Sequence, residues 1–103
     1  MRGSRPMPLI RFEEVARHTS PDDCWVALGG KVYNMTSFLP DHPGGPQIII
    51  KNAGKDVTRL FEATHPAGTL EKYLPKECYL GDLDASSVPD SVKQAQKKEE
   101  EEE

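Results

Sequence analysis

Phe38-Leu39-Pro40-Asp41-His42-Pro43-Gly44-Gly45 sets a histidine between a short apolar segment and a pair of glycines. A residue before proline is driven out of the α region by the pyrrolidine ring, so His42 is expected where a short helix ends, in a loop that can aim its side chain. The arrangement returns at Phe61-Glu62-Ala63-Thr64-His65-Pro66, where a second histidine precedes a second proline. Either step alone is only a turn that carries a histidine. Two of them, each behind an amphipathic segment, predict two helical hairpins that form the walls of a slot, with one imidazole entering from each wall.

Upstream, Trp25-Val26-Ala27-Leu28 and Lys31-Val32-Tyr33-Asn34-Met35 flank Gly29-Gly30, the pattern of a β-hairpin closed by a tight two-residue turn. Alternation puts Val26 and Leu28 on one face, Trp25 and Ala27 on the other. Before the hairpin, residues 9–11 suit a short strand and 12–18 have helical spacing through Phe12, Val15 and Ala16. After it the pattern turns helical. Thr36 suits a cap for a turn holding Phe38 and Leu39. Pro46 suits the first turn of a helix carrying Ile48, Ile49 and Asn52, with Gly54 past its end. Asp56 suits a cap for Val57, Leu60 and Phe61, and Thr69 for Leu70, Tyr73 and Leu74. Tyr79-Leu80 reads as a closing strand. The expected class is α+β: a small mixed sheet with helices gathered at one end.

The chain has 103 residues, enough for one domain with a modest core. A domain is expected over 9–83, between a flexible Pro- and Arg-rich stretch (1–8) and a polar tail (84–103) that ends in five glutamates and is expected to be disordered. A net charge of −4 argues against nucleic acid as a partner, and no apolar run reaches the length of a membrane span. Cys24 and Cys78 do not make a disulfide framework, so a reducing compartment is the default, with one bridge left open.

A flat, mostly apolar macrocycle with an iron centre fits a slot of this kind, and neutral imidazole is a good ligand for haem iron. Gly44-Gly45 would let the backbone pass close to the ring edge without a Cβ. His18, in Ala16-Arg17-His18-Thr19-Ser20, has no comparable context and reads as a helix-end cation. A rival of another class is a zinc-binding interaction module built from Cys24, His42, His65 and Cys78, although their spacings lack the short ligand pairs of structural zinc sites.

Several stretches in order and spacing resemble the cytochrome b5 haem-binding signature. They are Asp22-Asp23-Cys24-Trp25-Val26, Lys31-Val32-Tyr33-Asn34-Met35-Thr36, the stretch 38–45 quoted above, Asn52-Ala53-Gly54-Lys55-Asp56-Val57-Thr58, Phe61, His65 and Gly81-Asp82-Leu83. The resemblance covers about 10–83. It implies a cytochrome b5-like fold around one non-covalent b-type haem, with His42 and His65 as axial ligands, one on each face. Leu28, Met35, Phe38, Pro43, Ile49, Val57 and Phe61 would line the pocket, with Gly44, Asn52 and Leu70 beside them. Trp25 and Tyr33 would belong to a second core under the sheet. No Cys-x-x-Cys-His is present for thioether attachment.

The segment after Phe61 is a residue shorter than in stand-alone microsomal members. His65-Pro66-Ala67-Gly68-Thr69-Leu70-Glu71-Lys72-Tyr73-Leu74 is closer to the haem domain of fungal flavocytochrome b2, a lactate dehydrogenase that passes electrons to cytochrome c. That likeness implies a haem-propionate bond from Tyr73. Residues 1–103 hold no flavin domain, so it also implies an excised module or a stand-alone relative. The function implied is one-electron transfer, without catalysis of its own. The partners would be redox proteins, such as a flavin dehydrogenase or reductase domain, with cytochrome c a further candidate; the sequence does not decide between the cytoplasm and the mitochondrial intermembrane space. A monomer is expected. Asp41, Asp56 and Glu62 are candidates for an acidic rim that steers a basic partner. A peroxidase is disfavoured by two protein ligands on iron, and a haem-free steroid-binding relative by the presence of both histidines.

Overall fold

A computed structural model describes residues 8–66 and 68–93. Its sheet has five strands in the order β1-β5-β4-β3-β2. The hairpin forms its centre: β3 (Asp23–Leu28) and β4 (Lys31–Asn34) pair antiparallel with Trp25 opposite Asn34 and Leu28 opposite Lys31. Gly29 and Gly30 both hold positive φ, 63° and 81°, as a turn twisted with its strands requires. β5 (Tyr79–Leu83) runs antiparallel to β4 and longer than the expected Tyr79-Leu80. On its other side lies β1 (Leu9–Ile10), parallel to it. β2 (Thr19–Ser20), too short to show a period, closes the far edge against β3.

Register decides which side chains face the helices. Val26 stands opposite Tyr33, and Ala27 opposite Val32. Val26 and Tyr33 join the core of Cys24, Met35, Phe38, Leu39, Ala53 and Cys78, which lies beneath the helices. Val15, Ala27 and Val32 are fully buried but stand outside that cluster. Tyr33 was expected in the second core with Trp25 and is instead on the helix side, because cross-strand pairing places it on the face of Val26. Trp25 is half-buried on the opposite face.

Short helices α1 (Phe12–Val15), α2 (Gln47–Lys51), α3 (Thr58–Thr64) and α4 (Thr69–Tyr73) lie along the chain, with a 3₁₀ turn at Thr36–Asp41 ahead of α2. α1 is shorter than the spacing over 12–18 suggested. Thr36 does not cap its turn. Its hydroxyl accepts from the Cys24 N–H and donates to Asn34 Oδ1, tying the turn to β3. Thr69 is likewise inside its helix, donating to the Pro66 carbonyl, while Gly68 precedes it at φ 85°. Asp56 does accept from the Thr58 N–H at 3.0 Å, at the entry to α3. The segment before α3 is fastened to the sheet edge-on: Ala27 N–H donates to Lys55 O and Val57 N–H to Ala27 O, at 2.9 and 2.7 Å. This clamp fixes the second helical hairpin relative to the first.

Packing continues past Leu83, where the domain was expected to end. Asp84 N–H donates to Ile10 O, Phe12 N–H to Ser87 Oγ, and Val88 is buried. The expectations for 1–7 and 94–103 lie outside the described residues.

Candidate functional site

The 3₁₀ turn and α2 form one wall of a cavity of about 590 Å³, α3 and α4 the other, and the sheet its floor. That volume lies within the range of about 300–1,000 Å³ usual for cofactor sites. His42 follows the 3₁₀ turn at φ −71°, ψ 122°, and His65 follows α3 at φ −134°, ψ 140°; both are extended, as the prolines after them require. Both rings enter the cavity. Their centres lie 6.3 Å apart with planes at 46°.

Each imidazole is held from behind. His42 Nδ1 meets Gly45 O at 2.5 Å, and His65 Nδ1 meets Phe61 O at 3.1 Å. A carbonyl only accepts, so each Nδ1 carries a proton, and in the neutral ring the lone pair then lies on Nε2. Phe61 stacks on His65, and Phe38 meets His42 edge-on at 6.0 Å. A Cβ on Gly44 would stand 3.3 Å from His42 Cε1, so a side chain there would press on the ring.

The cavity wall contains both histidines and all eleven residues singled out around them: Leu28, Met35, Phe38, Pro43, Gly44, Ile49, Asn52, Val57, Phe61, Leu70 and Tyr73. Val26, Tyr33, Ile48, Leu60, Thr64, Pro66, Thr69 and Leu74 also line it. Val26 was legible from its shared parity with Leu28, and Leu74 from its spacing after Leu70. The two threonines carried no signal, being polar residues in a wall read by its apolar stripe. Asn52 Nδ2 donates to Ile48 O at 2.9 Å, which holds this side chain against its own helix.

Asp41, Asp56 and Glu62 are absent from the wall. Asp41 and Glu62 are exposed, while the Asp56 carboxylate is engaged by Thr58 at the start of α3. His18 lies on the other side of the sheet, stacked on Trp25 at 3.7 Å and bonded to Glu14 and Asp23. Cys24 and Cys78 are free and buried, and burial pushes both thiols up, with Asp23 adding to it at Cys24 and Glu77 at Cys78 against a bond from Ser37. Among the described residues no three His, Cys, Asp or Glu side chains gather as metal ligands, so the four residues of the zinc alternative form no centre.

A five-stranded α+β domain with two histidines facing across an apolar slot defines a small cofactor-binding module. The chain belongs to the cytochrome b5-like family: the model described as "Cytochrome b5-like Heme/Steroid binding domain" matches residues 11–84. It is 52% identical over 79 residues to the L-lactate dehydrogenase (cytochrome) of Saccharomyces cerevisiae, a match covering 77% of this chain and 13% of that protein. It is 46% identical over 82 residues to a cytochrome b5 of Oryza sativa subsp. japonica, covering 80% of this chain and 59% of that one. Two solved structures share the fold. Cytochrome b5 of Ostreococcus tauri virus 2 matches with a TM-score of 0.69 and 48% identity, covering 71% of this chain and 92% of its own. Cytochrome b558 of Ectothiorhodospira vacuolata, a prokaryotic homologue of cytochrome b5, matches with a TM-score of 0.65 and 36% identity, covering 75% of this chain and 99% of its own. The chain therefore spans a small part of the dehydrogenase and about three fifths of the plant cytochrome.

The donor set fits the haem this family binds. Two metal–imidazole bonds of about 2 Å, with about 1 Å more from each nitrogen to its ring centre, span about 6 Å. The ring centres stand 6.3 Å apart, each with its protonated nitrogen turned to a backbone carbonyl.

No helix among the described residues is long and apolar enough to cross a membrane.

Proposed function

We propose that this domain holds one non-covalent b-type haem between His42 and His65 and carries single electrons between redox proteins. The observation that carries the reading is the pair of opposed imidazoles, 6.3 Å apart across an apolar cavity, each with Nδ1 anchored to the backbone. Bound there, a haem supplies an iron that gains and loses one electron.

His42 and His65 would together hold the iron of a bound haem, one from each wall of the slot. Substrate-binding chemistry at the metal is thereby closed off, which favours outer-sphere transfer. Phe38 and Phe61 limit the tilt of the two rings, and the backbone carbonyls hold their rotation. Ligands held this way change little between oxidation states, which keeps reorganisation small. Val26, Leu28, Met35, Ile49, Val57 and Leu70 supply an apolar lining that excludes water from the macrocycle faces.

The likeness to the yeast dehydrogenase favours a partner of the flavin dehydrogenase class, with cytochrome c as an acceptor. Tyr73, exposed at the cavity mouth, is suited to hold a propionate where such a partner would dock. Titration of the purified protein with haemin tests the function. One equivalent per chain should give a six-coordinate low-spin spectrum that dithionite and ferricyanide cycle reversibly. Saturation by a steroid in place of haemin, without a low-spin spectrum, would overturn it.

A further inference from the structure

The two histidines are not held alike. His65 Nδ1 has a second oxygen neighbour besides Phe61 O: the hydroxyl of Thr64, at 2.8 Å. Thr64 Oγ1 also lies 2.9 Å from Leu60 O and 3.4 Å from Phe61 O. A hydroxyl has one proton, and the Leu60 carbonyl can only accept it. A lone pair of Oγ1 is then turned to His65 Nδ1, whose proton is shared between the Phe61 carbonyl and the Thr64 hydroxyl.

We propose that Thr64 is a positioning residue that sets the electron donation of His65 and hence the haem potential, resting on the ligation proposed above. The Leu60 carbonyl polarises the Thr64 O–H, which leaves its oxygen a better acceptor for the imidazole N–H. A more strongly held Nδ1–H makes Nε2 more basic and favours the ferric state. Thr64 thus lowers the potential and slows haem loss, an asymmetry with His42, whose Nδ1 meets the Gly45 carbonyl and no hydroxyl among the described residues.

The test uses the full chain loaded with haem, comparing Thr64→Val, which keeps the branched shape, with Thr64→Ser, which keeps the hydroxyl. The valine variant should retain the low-spin spectrum, raise the midpoint potential and release haem to an excess of apomyoglobin several-fold faster. The serine variant should stay with the parent in both. Thr64→Ala must shift the potential the same way as valine, which covers a valine variant that fails to fold. A valine potential equal to the parent's, or serine and valine moving together, would overturn the proposal. The underlying ligation is read separately: a His65→Ala variant that keeps the six-coordinate spectrum would remove His65 as ligand, whereas its loss alongside an unshifted Thr64→Val would remove Thr64 alone.

Discussion

Phe61 lies flat against His65, ring centres 4.2 Å apart and planes within 10° of parallel. α3 places them four residues apart, so the helix that carries the histidine at its end also carries the plate that orients it. Phe61→Ala removes that plate and part of the cavity wall. Haem should still bind with six-coordinate iron at saturation but leave about tenfold faster, equivalent to about 1.4 kcal/mol. Transfer to excess apomyoglobin measures the rate, and Phe61→Leu should fall between. A release rate equal to the parent's would show that the stack does not hold His65.

On the opposite face, both nitrogens of His18 meet carboxylates: Nε2 meets Glu14 at 2.8 Å and Nδ1 meets Asp23 at 2.7 Å. Carboxylates only accept, so the pair requires an imidazolium, which also stacks on Trp25; Arg17 shares Glu14. Burial draws the His18 pKa down, but the hydrogen bonds to Glu14 and Asp23, with their charge, outweigh it and hold it above the ordinary 6.5. A folded pKa above the unfolded one stabilises fully below about pH 6.5 and is lost as pH rises through the folded value. Melting of the haem-loaded protein should therefore lose stability in that rise, and His18→Gln should flatten it. An unchanged slope in the variant would assign the dependence elsewhere.

Past Leu83, the chain folds back as a 3₁₀ turn (Ala85–Ser87) against α1, with Val88 only 8% exposed. Val88→Ala removes two buried methyl groups, worth about 1.5 kcal/mol in total, or about 6–12 °C in melting temperature for a domain of this size. Truncation after residue 93 should cost far less. Equal melting temperatures for Val88→Ala and the parent would show that the turn is not part of the core.

The hairpin, the two His-Pro steps and most of the cavity wall were legible because each rests on a local rule. Gly29-Gly30 specifies a turn, proline sets the backbone of His42 and His65, and apolar stripes mark the wall-facing sides of short helices. What escaped depends on partners distant in the chain. The side of the sheet that Tyr33 occupies follows from its pairing with Val26. The burial of Val88 follows from Phe12 and Ser87 meeting across the sheet edge. Thr36 and Thr69 looked like caps by position, but the Thr36 hydroxyl accepts from the distant Cys24 N–H and Thr69 lies inside its helix behind Gly68. The two-residue strands β1 and β2 are too short for periodicity, and only their neighbours define them.

Tyr73 stands 55% exposed at the cavity mouth, with Lys72 Nζ 5.5 Å from its ring centre. If its hydroxyl bonds a propionate, Tyr73→Phe leaves that carboxylate more negative and favours ferric iron. The potential should fall, opposite in sign to Thr64→Val, while haem and its six-coordinate spectrum are retained. A hydrogen bond to a charged group is worth about 1.5–3 kcal/mol, less where water replaces it, so the shift should be modest. Spectroelectrochemical titration above the propionate range checks it, and an identical potential would show that Tyr73 does not make that bond.

The histidine pair itself is tested by the absorption spectra of haem-loaded His42→Ala, His65→Ala and His18→Ala. The first two should each lose the low-spin six-coordinate spectrum and gain affinity for added imidazole, because one axial position opens. His18→Ala should match the parent. A six-coordinate low-spin spectrum surviving in either of the first two, without added imidazole, would contradict bis-histidine ligation by His42 and His65.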